Sequence, residues 1–113
     1  MKHVHFTDVK LEEPSEDGIK DLKIRWLISK NDGAENFAMR LFEIQPGGYS
    51  PFHQHDWEHE VFILEGNGII KCEKNQEPYS QGDVFFIPAM QWHQFINTGK
   101  KILKFLCLIP YKK

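Results

Sequence analysis

A chain of 113 residues is one domain in size, and a formal charge of −2 with no basic stripe excludes the broad electrostatic attraction on which nucleic-acid binding rests. Hydrophobic residues make up 41% and charged residues 27%, an ordinary balance for a globular protein, and no run approaches the roughly 18 apolar residues of a membrane span. The opening stretch, Met1 to Asp8, is polar and lacks an apolar core, so no signal peptide is expected; Cys72 and Cys107 read as free buried thiols of a cytoplasmic protein rather than as a disulfide framework.

Glu12, Glu13, Pro14, Ser15, Glu16, Asp17 and Gly18 form a polar acidic segment that reads as a solvated loop. Residues 1–20 are accordingly taken as an extended N-terminal arm and residues 21–113 as a single barrel domain. Leu22 to Ile28 alternates and then turns apolar, as a strand entering a covered region does. Asn31-Asp32-Gly33 supplies a turn before a strand-like run from Asn36 to Ile44, and Pro46-Gly47-Gly48 reads as the next turn. After the β-branched and aromatic run Val61 to Leu64, Gly66-Asn67-Gly68 predicts a hairpin into a return strand from Ile69 to Glu73. Another turn is expected at Asn75 to Pro78, then strands at Val84 to Ile87, Trp92 to Ile96 and Ile102 to Ile109. Turn signals about every 8–12 residues, with no sustained helical period, predict an all-β sandwich or barrel.

His53, His55 and His59 fall within seven residues just ahead of an apolar strand. Neutral imidazole is the commonest protein metal ligand, so such a cluster reads as a metal site on a β-scaffold. The three share parity, which on one continuous strand would aim them into a single cavity and leave Glu60 on the other face. A helical His55/His59 pair is disfavoured by Pro51 and by Val61-Phe62-Ile63. His93, entering an apolar strand, is the candidate fourth ligand, while His3 and His5 lack a supporting frame and read as exposed.

Gly47, His53, His55, Glu60 and Gly66 resemble the first motif of the cupin superfamily, contracted by one residue at its end. Gly82, Pro88, His93 and Asn97 fall at the spacings of its second motif, with Met90 where the family usually has glycine. Trp57 to Phe62, Phe37 to Phe42 and Phe105 to Pro110 are similar to the small four-histidine metal cupin of a thermophilic bacterium. The resemblance implies a double-stranded β-helix, or jelly-roll, barrel. It also implies a metal site of His53, His55, His59 and His93, with Glu60 as the alternative third ligand. Imidazole donors do not choose among Mn, Fe, Ni, Co, Cu and Zn. Four neutral ligands leave the ion its full charge, which favours an anionic small-molecule ligand. Met90 is expected to need a different backbone conformation from the usual glycine.

Alternation along the last strand turns Leu103, Phe105, Cys107 and Ile109 inward, and the expected pocket residues are Arg40, Trp57, Val61, Phe105 and Cys107. Arg40, the one charge in an apolar run, is expected to pair with Glu60 or Glu43, with guidance of a substrate anion as its other role. Phe62 and Leu64 on the opposite face suggest cover by a second subunit, and the resemblance implies a homodimer. By analogy of fold, the expected function is that of a small metalloenzyme catalysing oxidation or dioxygenation of an organic substrate, with isomerase or decarboxylase chemistry on the same scaffold. The alternative is a non-catalytic metal or small-molecule binding module, a sensor or a store.

Overall fold

The computed structural model describes residues 1–111. Eight strands are formed: β1 (Lys20–Ile28), β2 (Phe37–Tyr49), β3 (His59–Glu65), β4 (Gly68–Cys72), β5 (Gln76–Tyr79), β6 (Val84–Ile87), β7 (His93–Ile96) and β8 (Leu103–Pro110). Two single-turn 3-10 helices, Phe6–Asp8 and Lys30–Asp32, are the only helical pieces among the described residues, and no helix is long and apolar enough to cross a membrane. The pairings are antiparallel and run β5-β4-β7-β2-β8-β3-β6, with β1 added on β2. The sheet curls into the all-β jelly-roll expected from the sequence.

Alternation decides the inner face. Leu103, Phe105 and Cys107 of β8 are 0%, 1% and 3% exposed, and Val61 and Ile63 of β3 join them in the core. Phe105 stacks on Phe42 and on Phe95, at centroid separations of 4.8 and 4.6 Å, linking β2, β7 and β8 beneath the histidines. Asn97 is fully buried and completely used: Nδ2 donates to the carbonyls of Ile44 (2.8 Å) and Lys101 (2.9 Å), and Oδ1 accepts from Gly99 N–H (2.9 Å). The Asn97 side chain therefore clamps β2 to the turn before β8.

Several expected turns are realised differently. Pro46-Gly47-Gly48 lies inside β2, which leaves β8 after Ile44 and pairs with β7 at Tyr49. Gly47, at φ 83°, permits that change of partner, and Gly48 packs against the Lys20 carbonyl where a Cβ would not fit. Gly66-Asn67 closes no hairpin, because β3 pairs with β6 and β8 whereas β4 pairs with β5 and β7. The segment instead carries the chain across the barrel. The hairpin turn expected at Asn75 to Pro78 falls earlier, at residues 73–75, since Gln76 already pairs with Lys71.

Met90 takes a left-handed conformation, at φ 70°, a region that glycine, the usual residue at this position of the motif, enters without the cost a side chain meets. Its N–H donates to the His55 carbonyl, so the turn is fixed by a contact with the histidine loop while the side chain stays exposed. A side chain in this region costs about 1–2 kcal/mol, against the extra entropy a glycine loses of roughly 0.5–1 kcal/mol. Met90→Gly is therefore expected to stabilise the fold by about 0.5–1 kcal/mol, read as a rise of a few degrees in the thermal midpoint.

On the outer face Phe62, Leu64, Val84 and Phe86 are 44%, 40%, 70% and 59% exposed, so the cover expected for Phe62 and Leu64 is not supplied by the chain itself.

Candidate functional site

The histidines converge, but not along one strand. His53 forms an isolated bridge with His93, through N–H to carbonyl bonds of 3.1 and 2.9 Å in the two directions. Residues 54–58 are irregular, and β3 begins only at His59. The parity reading is thus replaced by three separate placements: His53 in its bridge to His93, His55 in the loop, and His59 at the start of β3. Ring centroids stand 4.2 Å apart for His53 and His55, 4.8 Å for His53 and His93, 5.1 Å for His59 and His93, and 5.3 Å for His55 and His59. As they stand, no three His, Cys, Asp or Glu side chains among the described residues are arranged to hold a metal ion.

What the rings do form is a set of oriented donors. His93 Nδ1 lies 2.9 Å from the Gln91 carbonyl, which can only accept, so Nδ1 carries the proton and Nε2 keeps its lone pair. His53 Nδ1 lies 3.2 Å from a Glu16 carboxylate oxygen, and His59 Nδ1 lies 3.3 Å from Cys107 Sγ. His59 Nε2 is buried with no partner. Metal-binding imidazoles are held in this way, one nitrogen tied to the protein and the other free for the ion. Burial pushes the histidines down, to about 4 for His53 and His55 and about 3 for His59, with neighbouring His and the Arg40 charge adding to the effect. His93 is lowered by burial as well, against the opposing pull of the Gln91 carbonyl. Neutral imidazoles at ordinary pH are what a transition ion requires, and the donor set fits one.

The rings line one end of a cavity of roughly 220 Å³. Arg40, Trp57, Phe105 and Cys107 line it as expected, whereas Val61 belongs to the core and does not reach it. Glu60 points to the exposed outer face, on the opposite side of β3 from His59. Arg40 does not form the ion pair expected with Glu43 or Glu60, since Glu43 is taken by Arg25 at 3.0 Å. Its guanidinium lies over the rings of Trp26 and Phe42, at 5.4 and 4.8 Å, and Nη2 donates to Cys107 Sγ at 3.1 Å. Trp57 stacks on His55 at 4.3 Å. Three buried side-chain nitrogens among the described residues lack a partner: Arg40 Nε, Trp57 Nε1 and His59 Nε2. All three residues line this cavity. Unpaired buried polar groups are costly, and their collection in one pocket makes it the candidate ligand site.

Trp26, Phe42 and Glu16 also line the cavity and were not singled out from sequence. Alternation carries a signal for the first two, since Leu22, Ile24 and Trp26 share a face, as do Arg40, Phe42 and Ile44. Glu16 had none: its segment read as solvated, yet the arm crosses the pocket.

Comparison with known proteins agrees with the fold. The Cupin domain family matches residues 40–109. An oxalate-binding protein of Thermotoga maritima is 32% identical over 96 residues, covering 81% of this chain and 78% of that protein. The 1-methylthio-D-xylulose 5-phosphate methylsulfurylase of Rhodospirillum rubrum is 35% identical over 71 residues, 63% of this chain but 46% of that enzyme, so the chain spans less than half of that relative's length. Among solved structures, the polyketide cyclase RemF of Streptomyces resistomycificus superposes with a TM-score of 0.93 at 38% identity, covering 99% of this chain and 80% of that one.

Proposed function

From the premise that the chain belongs to the cupin family, we propose that it is a metal-dependent enzyme acting on a small organic anion, with His53, His55, His59 and His93 holding a divalent transition-metal ion. The carrying observation is that the unpaired buried nitrogens gather in one cavity, one of them an imidazole nitrogen beside three further histidines. When bound, the ion supplies Lewis acidity that draws electron density from a carbonyl or enolate oxygen. The remaining work falls to the chain. Arg40 Nε and Trp57 Nε1 are donors without acceptors, so a carboxylate or enolate oxygen satisfies both and neutralises the guanidinium charge. Trp26, Phe42 and Trp57 give the cavity apolar walls that limit the water around a bound anion. A volume of roughly 220 Å³ suits a small molecule or the reactive end of a longer one.

The reaction we favour is an aldol-type ring closure, in which a carbon beside one carbonyl loses its proton and bonds to another carbonyl carbon of the same substrate, whose oxygen takes up the proton, a reading supported by the likeness to the polyketide cyclase. The second reading is oxidation or dioxygenation of the same substrate class, which the imidazole donors allow because they suit redox-active Mn, Fe, Co, Ni and Cu as well as Zn. Likeness to the oxalate-binding protein supports an anionic ligand and leaves simple binding as the outcome to be tested against. A homodimer that covers Phe62, Leu64, Val84 and Phe86 belongs to the same proposal, supported by the exposure of those side chains, and so does a cytoplasmic location.

The experiment loads the protein with Zn(II) or Fe(II) and supplies poly-β-carbonyl and aromatic acids, with and without dioxygen. Turnover of an acid without oxygen uptake is the expected result, lost in Arg40→Met. Oxygen uptake linked to turnover selects the second reading, and oxalate binding with no turnover under any metal overturns both.

A further inference from the structure

We propose that Glu16 is a positioning residue for His53, and that residues 13–19 form a strap over the cavity which this contact holds closed. The metal half of the proposal rests on the four histidines being a metal centre; the strap does not.

The stretch is pinned at both ends. Glu12 exchanges backbone bonds with Ile24, at 2.9 and 2.8 Å, and Lys20 pairs with Tyr49 at the start of β1. Between these points Pro14, Glu16 and Ile19 turn onto the cavity. Gly18 takes φ 79°, a conformation that suits glycine, where the chain passes Pro51. Glu16 Oε2 then reaches 3.2 Å from His53 Nδ1. The Glu16 side chain remains 50% exposed, so burial does not hold it there. No other hydrogen bond among the described residues links this stretch to the histidines, and Glu16 is the only carboxylate among those lining the cavity.

A carboxylate on Nδ1 does two things to a histidine: it fixes the proton on that nitrogen, and it makes Nε2 a better donor. Because this carboxylate is carried by the strap, closing the strap completes His53, and lifting it to admit a ligand releases His53. With both ends already fixed, closure orders only a short loop, which keeps its entropic cost small.

The test compares Glu16→Ala, Glu16→Gln and, on the same stretch but outside the cavity, Glu13→Gln. Co(II) is the probe, followed by its visible spectrum and by titration, and amide hydrogen exchange is measured on the metal-free proteins. Glu16→Ala is expected to raise exchange severalfold at residues 13–19 and to weaken Co(II) binding by about tenfold, the lower end for a second-sphere partner. Glu16→Gln, whose amide oxygen still accepts from Nδ1, recovers part of both, and Glu13→Gln changes neither. Unchanged exchange in Glu16→Ala overturns the strap, and unchanged Co(II) affinity and spectrum overturn the positioning role. A wild-type protein that binds no Co(II) overturns the metal reading and the positioning role with it, while exchange still decides the strap.

Discussion

Replacing His59 by alanine is expected to weaken Co(II) binding by at least about a hundredfold, while Glu60→Gln leaves it unchanged. The two residues are neighbours in sequence and lie on opposite faces of β3: His59 is 5% exposed and lines the cavity, whereas Glu60 faces outward. His59 Nε2 is buried without a partner, and Nδ1 is already engaged by Cys107. The effect is readable in stability. An ion that binds only the folded state at a hundred times its dissociation constant stabilises by about 2.7 kcal/mol, and a hundredfold loss of affinity leaves roughly 0.4 kcal/mol at the same concentration. Thermal unfolding with and without Co(II) therefore separates the two variants. Loss of the metal-induced shift in Glu60→Gln and its retention in His59→Ala would reverse the assignment.

The second large effect is in the core beneath the site. Phe105→Ala is expected to cost about 3–5 kcal/mol, the range for truncating a fully buried aromatic side chain. Phe105 is 1% exposed and stacked on both Phe42 and Phe95, so removing its ring leaves two faces without partners and a void under the cavity. Urea denaturation checks this as a lower midpoint with an unchanged slope. Phe86→Ala, at 59% exposure on the outer face, is expected to change stability by no more than about 1 kcal/mol in the monomer. Equal losses in the two variants would contradict the placement of the core.

The residues legible in sequence were those governed by a short-range rule. Strand alternation placed Leu103, Phe105 and Cys107 inward, and motif spacing brought His93 to the histidine loop from a distant segment. Contacts that no local rule encodes were not legible. Glu16 reaches His53 because the arm folds back over the barrel, which an acidic, turn-rich segment does not announce. Arg40 lacks the expected acidic partner because Arg25, one strand away, takes Glu43. Gly66-Asn67-Gly68 carries hairpin chemistry, yet Gly66 packs against Leu103 and Gly68 against Ile96, so tertiary contact turns a hairpin signal into a crossing. Met90 shows the same priority: the bond from its N–H to the His55 carbonyl holds the left-handed turn that the residue type disfavours.

The central claim is that four imidazoles, and no carboxylate or thiolate of the chain, hold a transition-metal ion. X-ray absorption at the metal edge of the Zn(II)- or Co(II)-loaded protein tests it most directly. The expected spectrum carries the multiple-scattering pattern of four imidazole rings and no sulfur, and loses one ring in His59→Ala. A sulfur neighbour from Cys107, or a wild-type spectrum with three imidazoles that Glu60→Gln alters, would contradict it.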